Sequence, residues 1–360
     1  MAVEVIDEPL LARVHRLASP SFPVAHPEVH GEELMPDVVA GSMRARWTAR
    51  QFPVRAVDFY RLRDVYVCDE GLVFDAQGRL FRSTIAQHST EEIEIAARAV
   101  RAAREAGAVP AHAGPAVLCK KIGSFNFGHW LLEMWPRAVL ARMHLALPDL
   151  RYVVHAHERA LRQVMLGCLA LAGIREAAVI ETPRAPQFFE DLILIDGVAM
   201  HGDYMSPLAV TCLEPLIAGV PAGHAERLYV TRRDVGWRKF LNEDAMIRIA
   251  EKEGYMVIDP GQMGLMQQIG MFRGARRVVG VTGAAMTNTV FMPPGGRVGL
   301  FVPASMPDNF FWFISQIRRH HYAEYRCREV GADGVAPAHG KSWNADIQLS
   351  RETFRRFVAG

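Results

Sequence analysis

Residues 116–156 read AVLCKKIGSFNFGHWLLEMWPRAVLARMHLALPDLRYVVHA and predict a strand, a long helix and a second strand. The helix, expected over 126–146, is apolar on most of its surface, which is typical of a helix that is nearly buried. Strands and helices that alternate along a chain form a mostly parallel sheet with helices on both faces. This segment therefore places the chain in the α/β class.

The alternation continues through most of the chain. A predicted helix over 158–172 and strand-like runs over 177–182 and 191–196 complete a first set of elements. Residues 203–226 are rich in Pro and Gly and predict a connection to a second set. That set has predicted strands at 228–231, 256–259, 276–281 and 297–302, and predicted helices from 242, near 264–273 and from about 284. Two doubly wound lobes of this kind should face a cleft, with the loops at the carboxyl ends of their strands toward it.

The region before residue 111 has a different pattern. Residues 57–82 contain short β-rich runs separated by Glu-Gly and Gln-Gly, which predict antiparallel hairpins, and residues 89–107 predict a helix. We therefore divide the chain into four segments. They are an N-terminal extension of β-hairpins and a helix (1–110), a first Rossmann-like lobe (111–210), a second Rossmann-like lobe (224–330) and a tail with a closing helix (331–360).

Composition argues against several classes of protein. The formal net charge is only +2 and no run of five like charges occurs, so a nucleic-acid-binding surface is not indicated. The longest apolar run (164–174) is too short to cross a bilayer, and the acidic start MAVEVIDEPL lacks the basic region of a secretory signal. We expect a cytosolic protein, at most peripheral to the inner face of the membrane. The five cysteines lie far apart, which predicts reduced, buried thiols.

One polar stripe crosses the apolar helix of the opening segment. His129, Glu133 and Arg137 recur at a spacing of four, so they should lie on one helical face. Imidazole and carboxylate groups are able to take a proton from a reacting hydroxyl group. The alternative is an internal Glu133–Arg137 ion pair with His129 as a hydrogen-bonded core residue. Pro136 removes a helical N–H donor and should bend the helix near the stripe.

The second set of elements contains a turn that suits an anion. In VVGVTGAAMTN (278–288) a β-branched strand runs into Gly283, Ala284 and Ala285 and then into a helix. The small residues allow close approach to the backbone, and the helix N-terminus offers free N–H groups and positive partial charge. A pyrophosphate would fit these properties, although a tight turn with Ala chosen for packing is the alternative.

Two arginines follow the first strand of the same set. Arg232 and Arg233, in YVTRRD (229–234), should lie in the other loop that faces the cleft, where guanidinium groups bind phosphate oxygens. The chain has no DxD triplet, the carboxylate pair with which many sugar-nucleotide enzymes hold a divalent ion. We therefore expect arginine and helix dipole to neutralise a diphosphate, with no metal and no further cofactor.

Together these blocks resemble glycosyltransferase family 61, including its bacterial capsular-polysaccharide members. The matching stretches are FNFGHWLLEMWPRAVL, LYVTRRDVGWRKFLNEDAM, QQIGMFRGARRVVGVTGAAMTNTVFMPPGGRVGLF and DIQLSRETFRRFV. The resemblance implies a GT-B fold, with the sugar nucleotide in the C-terminal lobe, the acceptor in the N-terminal lobe, and inversion without a metal. The chain departs from the family at Thr282, where the family usually has a histidine.

Transferred position by position, the resemblance assigns roles to single residues. His129 and Glu133 become the catalytic pair, with Glu133 as base and His129 as its orienter, and the reverse assignment stays open. The resemblance places nucleotide-sugar contacts at Arg232, Gln268, Gly283, Ala284 and Asn288. To these we add Arg233 and Thr282, because a guanidinium or hydroxyl group can bond a phosphate oxygen, and we expect Asn126 and Arg137 to contact the acceptor. His201, in MHGDYM, has the pattern of a plain loop but could line the cleft.

The prediction is a metal-independent inverting glycosyltransferase. It should transfer a sugar from a nucleotide donor, a UDP-sugar, to a glycan acceptor in polysaccharide biosynthesis. Two alternatives stay open, a non-catalytic nucleotide-sugar or glycan-binding relative in an assembly complex and a sugar-nucleotide epimerase of similar fold. The sequence predicts neither a nucleic-acid partner nor an integral membrane segment, and it leaves the oligomeric state open.

Overall fold

A computed structural model of the chain describes residues 3–233, 235–330 and 344–360, with the side chains of residues 159 and 160 left out. The described chain forms two compact units. The first comprises Met1–Pro20 and Val54–Leu216, and the second comprises Ser21–Pro53 and Ile217–Gly360. The chain thus enters the second unit early, returns to the first, and then completes the second.

The first unit contains a nine-stranded mixed sheet. The strands of this sheet are β1 (Val5–Ile6), β2 (Arg13–Ser19), β6 (Arg55–Cys68), β7 (Leu72–Phe74), β8 (Leu80–Phe81), β9 (Ala111–Leu118), β10 (Arg151–His155), β11 (Val179–Thr182) and β12 (Gln187–Asp196). Strands β13 (Ala199–Met200) and β14 (Tyr204–Met205) form a separate two-stranded ribbon. The order is β1-β8-β7-β6-β12-β9-β10-β11, and β2 pairs with β6. Strands β12, β9, β10 and β11 run parallel, whereas β6 is antiparallel to β12 and β7.

Helices of the first unit are α2 (Thr90–Ala106), α3 (Phe127–His129), α4 (Trp135–His144), α5 (Arg159–Leu171), α6 (Pro207–Thr211) and α7 (Glu214–Ile217), the last ending where the second unit begins. A π-helical turn, Trp130–Met134, joins α3 to α4 in one continuous helix. Helix α2 begins with a capping box in which Ser89 and Glu92 accept hydrogen bonds from each other's backbone N–H. The core beneath these helices is built from the apolar residues of β6, β9 and β12.

The second unit contains a seven-stranded sheet. The strands of this sheet are β4 (Glu28–His30), β15 (Arg227–Val230), β16 (Met256–Ile258), β17 (Arg277–Val281), β18 (Arg297–Pro303), β19 (His321–Val330) and β20 (Asp346–Gln348). Strands β3 (Phe22–Pro23) and β5 (Gln51–Phe52) form a separate antiparallel pair. The order is β16-β15-β17-β18-β19-β20, with β4 paired to β19. All pairings except β19–β20 are parallel, so both faces must be covered.

Helices of the second unit are α1 (Asp37–Trp47), α8 (Glu243–Lys252), α9 (Leu265–Gly274), α10 (Phe310–Ile317), α11 (Arg351–Ala359) and the 3₁₀ helix Ala284–Phe291. Shorter 3₁₀ turns occur in both units at Leu10–Ala12, Glu32–Leu34, Arg82–Thr84, Glu176–Ala178 and Pro260–Gln262. Helices α8 and α11 pack their apolar residues against one sheet face.

The predicted α/β class is confirmed, because helices alternate with parallel strands in both units. The predicted antiparallel region at 57–82 corresponds to β6, β7 and β8. All five cysteines are free and buried. No helix among the described residues combines the length and hydrophobicity that crossing a bilayer requires. Residues 331–343 of the tail predicted from residue 331 onward lie outside the described residues, and the closing helix of the tail is α11.

Candidate functional site

The first candidate site lies at the carboxyl edge of the parallel strands in the first unit. Strand β9 ends at Leu118, and Lys121 follows in the loop that leads into the long helix. Strand β12 runs parallel to β9 and ends at Asp196, and His201 follows it. Because the carboxyl ends of parallel strands share one edge of a sheet, these two side chains meet the start of the long helix there.

The start of that helix is fixed by local hydrogen bonds. The side chain of Asn126 is the N-cap and accepts a hydrogen bond from the N–H of Gly128 at 2.8 Å. The loop before it is held by Glu70, whose carboxylate accepts the N–H groups of Gly123 at 2.7 Å and Ser124 at 3.0 Å. Asn126 was predicted to bind an acceptor, and here its carboxamide oxygen caps the helix.

The predicted bend of the helix takes the form of the π-helical turn Trp130–Met134. The turn stands directly before α4, in which Pro136 occupies one of the first two positions and has no N–H to donate. A π turn holds an additional residue and rotates the residues after it relative to those before it. Nδ1 of His129 lies 2.9 Å from Oε1 of Glu133 across the turn, whereas Arg137 forms no ion pair with Glu133.

Glu133 is the centre of a buried polar cluster, here called the Glu133 cluster (Lys121, His129, Glu133 and His201). Only 1% of its side chain is exposed. Its Oε1 lies 2.9 Å from Nδ1 of His129 and 3.2 Å from Nδ1 of His201, and its Oε2 accepts a hydrogen bond from Nζ of Lys121. Burial acts to raise the pKa of Glu133, but the charge of Lys121 and the bonds from both histidines outweigh it and hold that pKa well below its usual value.

The sequence did not predict a role for Lys121. In the structure Lys121 is the cation paired with Glu133, the position that the alternative interpretation of the stripe gave to Arg137. Its Nζ also bonds Oε1 of Gln87 at 2.9 Å. Burial lowers the pKa of Lys121, and the neighbouring carboxylate of Glu133 opposes that shift. No ion pair between Glu133 and Arg137 occurs in the part of the chain that the structure describes.

A cavity of about 240 Å³ adjoins the Glu133 cluster within the first unit. Lys121, Arg137, His201 and Asp196 are among the residues that line it. Nε of Arg137 is buried and finds no hydrogen-bond acceptor among the described residues. Burial lowers the pKa of Arg137 and raises the pKa of Asp196. The cavity therefore places the Arg137 guanidinium and the Asp196 carboxylate, whose charges attract each other, beside a cluster that can move a proton.

Three members of the cluster also have the composition of a metal site. One ligand atom from each of His129, Glu133 and His201 lies within 4.8 Å of the others. Two imidazoles and one carboxylate suit a divalent transition metal. Lys121 bonds the same carboxylate, so a cation there would face a second positive charge. The arrangement fits proton transfer better than it fits metal binding.

The second candidate site lies at the carboxyl edge of the sheet in the second unit. The guanidinium of Arg232 donates to the carbonyl oxygens of Arg238 at 3.1 Å and Trp237 at 3.0 Å. Its side chain lies directly over Gly283, where a Cβ atom would stand 1.8 Å from Nη1 of Arg232. Burial lowers the pKa of Arg232 to about 10. The structure thus joins the predicted arginine and the predicted turn.

The remaining predicted nucleotide contacts lie close to this turn, with one exception. Gln268 accepts a hydrogen bond from Nδ2 of Asn288 at 2.8 Å, and the same Nδ2 donates to the carbonyl of Ala285 at 3.0 Å. Oδ1 of Asn288 is buried and accepts no hydrogen bond from another described residue. Ala284 begins the 3₁₀ helix, and Thr282 precedes the turn and is buried. Arg233 is the exception, since it is exposed and pairs with Asp244 at 2.6 Å.

Sequence reasoning assigned no role to Lys121 and left His201 as a loop residue. A basic residue just past the end of a predicted parallel strand was the available signal for Lys121. His201 lies in a loop without a motif, and only the pairing of β12 with β9 brings it to Glu133.

Residues 127–299 match the family described as Glycosyltransferase 61. The matched range contains His129, Glu133, His201 and the turn at Gly283, whereas Lys121 lies before it. A search of curated proteins found no match.

Proposed function

The chain carries the domain of glycosyltransferase family 61 at residues 127–299; from this domain and the Glu133 cluster we propose a metal-independent inverting glycosyltransferase of GT-B architecture. It transfers a sugar from a nucleotide donor, a UDP-sugar, to a glycan acceptor in capsular or related polysaccharide biosynthesis. The single observation that carries the proposal is the buried Glu133 carboxylate, bonded by two imidazoles at the edge of a cavity.

The proton acceptor in this proposal is an imidazole that Glu133 orients. Inversion requires a base that takes the proton of the acceptor hydroxyl while the nucleotide departs from the opposite face of the sugar. A carboxylate with a strongly lowered pKa is a weak base, but it stabilises the imidazolium that forms when a bonded histidine takes a proton. We therefore propose an imidazole as the base in place of Glu133, and this imidazole is His201 rather than His129, the alternative that the sequence left open. His201 lines the cavity and is the better placed imidazole, and His129 fixes the carboxylate.

The donor is assigned to the second unit. The turn at Gly283 provides backbone N–H groups at the start of a 3₁₀ helix, and Asn288 offers a buried carboxamide oxygen next to it. Arg232 supplies positive charge beside the turn. The acceptor is assigned to the cavity of the first unit, where Arg137 would bond a hydroxyl or an acidic group of the glycan.

The test is a transfer assay with a panel of nucleotide sugars in the presence of EDTA. We expect Glu133→Gln to lower kcat by at least about 100-fold, since proton transfer by a positioned group contributes roughly 10²- to 10⁴-fold. Nucleotide affinity should change by less than about twofold, because the assigned donor contacts lie in the other unit. The matched control is Glu105→Gln, an exposed carboxylate on α2 of the same unit.

Each other outcome has a defined meaning. Full activity of E133Q would remove the Glu133 cluster from the mechanism. Activity that EDTA abolishes and Mn²⁺ restores would indicate a metal held by His129, Glu133 and His201 instead. Tight UDP binding without turnover across the panel would support a non-catalytic nucleotide-sugar-binding relative, the alternative that Thr282 keeps open.

A further inference from the structure

A row of basic residues crosses the sheet of the second unit at the edge opposite the Gly283 turn. Arg227, Arg277 and Arg297 are the first residues of β15, β17 and β18, and they are direct register partners. His321 continues the row as the first residue of β19, paired with Arg297. Register partners on parallel strands point to the same face, so these four side chains stand next to one another.

The three arginines of this row, here called the arginine row, have no Asp or Glu side-chain partner among the described residues. Arg227 donates to the carbonyl oxygen of Glu253 at 2.9 Å, and Arg297 donates to a main-chain oxygen of Gly360, the last residue of the sequence, at 2.8 Å. Arg277 lies over the ring of Tyr255, with 5.9 Å between its Cζ atom and the ring centroid.

Such a row costs free energy in the folded protein. Like charges on directly opposite residues of neighbouring strands are destabilising. Burial and the charges of Arg297 and Arg227 lower the pKa of Arg277, in keeping with this repulsion. A multivalent anion bound across the row would remove the repulsion, so the arrangement is more favourable with a ligand than without one.

The arginine row borders a cavity of about 740 Å³, here called the basic cavity. Its floor consists of residues on the same sheet face, with Gly299 among them, and helix α11 forms one wall. Arg277, Arg297, Arg356, His30 and His321 line it. Glu28 is the only acidic side chain among its lining residues, and it is shared by His30 at 2.8 Å and His321 at 3.7 Å.

We propose that the basic cavity is a binding site for a soluble diphosphate, distinct from the proposed donor site. Adjacent guanidinium groups can each bond two oxygens of a phosphate, which suits a ligand with two neighbouring phosphate groups. The Gly283 turn follows the last residue of β17, whereas Arg277 is its first residue, so the two sites lie at opposite edges of one sheet. The site goes beyond the proposed transfer reaction and does not depend on it.

Titration calorimetry with inorganic pyrophosphate at low salt tests the proposal. Arg277→Gln combined with Arg297→Gln should weaken binding by at least about tenfold, because both guanidinium forks are lost. The matched control is Arg328→Gln, an exposed arginine on β19 outside the basic cavity, which should leave the affinity unchanged. Unchanged affinity in the double variant would overturn the proposal, even if the protein binds pyrophosphate elsewhere.

Two further measurements complete the test. The double variant should have an unchanged or higher melting temperature without ligand, since like charges are removed. If the double variant does not fold, R297Q alone replaces it, because Arg297 is exposed. The anionic headgroups of a lipid surface carry the same phosphate chemistry. One outcome would show a membrane-binding surface and overturn the proposal of a soluble ligand. In it, the protein floats with phosphatidylglycerol vesicles only when the arginine row is intact, and it does not bind pyrophosphate.

Discussion

Glu133 shows how a single residue combines features that neither its type nor its position in the chain predicts. It is a carboxylate with 1% of its side chain exposed, and it is ionised because Lys121 and two histidines bond it. Its pKa is lower in the folded protein than in the unfolded chain. The ionised form therefore stabilises the fold at neutral pH, and this stabilisation is lost as the pH falls through the lowered pKa.

Replacing Lys121 by Met tests this account. The variant leaves Glu133 buried without its full cation, so we expect the free energy of unfolding at pH 7 to fall by about 3–5 kcal/mol. The imidazole that acts as base should also bind a proton more readily once the charge of Lys121 is gone, which moves the acidic limb of the kcat/KM profile to higher pH. Urea unfolding and a pH series of the transfer assay measure these two effects.

Lys252→Met is the control for that variant. Lys252 ends α8 and is exposed, so its replacement should change neither quantity appreciably. An acidic limb that stays in place in K121M would show that the charge of Lys121 does not act on the proposed histidine base.

The limits of prediction at the residue scale follow from distance along the chain. His129 and Glu133 were predictable as a pair because residues four apart on a helix are neighbours. Arg137 has the same spacing, but the π turn at Trp130–Met134 takes it out of reach. Lys121 and His201 come from different strand ends, and only the sheet order brings them to the same carboxylate.

At the scale of elements, hydrophobic periodicity was sufficient for most strands and helices. The strands β15 to β18 and the helices between them lie close to the predicted positions, because each carries its own pattern and its own turn residues. Residues 21–53 show the limit. Their strands have two or three residues each, and β4 is a strand through its pairing with β19 in a distant part of the chain, which no local pattern encodes.

Gly283 links strand β17 to the 3₁₀ helix Ala284–Phe291, and its replacement tests that turn. An alanine Cβ at this position would stand 1.8 Å from Nη1 of Arg232, so Gly283→Ala must displace a guanidinium that two carbonyl oxygens hold. We expect a loss of about 1–3 kcal/mol in the free energy of unfolding. UDP affinity should fall at least about tenfold, since the charge next to the proposed diphosphate site moves.

Gly264→Ala is a closely matched control for G283A. Gly264 is also an N-cap with extended backbone, at the start of α9, and no heavy atom lies within 4 Å of a Cβ placed there. Both variants carry the same change in capping residue, so only the displacement of Arg232 separates them. If the two variants have equal stability and equal UDP affinity, Arg232 and the Gly283 turn do not belong to the donor site.

At the scale of the whole molecule, each unit contains a histidine that burial holds in the neutral form, the half-buried His155 and the buried His320. Burial lowers the pKa of His155 in the first unit and of His320 in the second to about 4. The unfolded chain therefore binds these protons first when the pH falls below about 6.5. The free energy of unfolding should decrease from pH 6.5 towards pH 4 as a result.

His320 allows this pH dependence to be isolated. Only 5% of the residue is exposed, its Nε2 lies 3.2 Å from the carbonyl oxygen of Thr289, and its Nδ1 is buried without a partner among the described residues. The neutral ring therefore donates from Nε2, and a second proton would place an unpaired charge in the interior.

Glutamine can donate the same hydrogen bond but does not titrate. The free energy of unfolding of His320→Gln should therefore fall by about 2–3 kcal/mol less than that of the wild type between pH 7 and pH 4.5. Urea unfolding at both pH values measures the difference, with the exposed His224→Gln as control. If H320Q and the wild type lose equal stability, another group carries the acid sensitivity of the second unit.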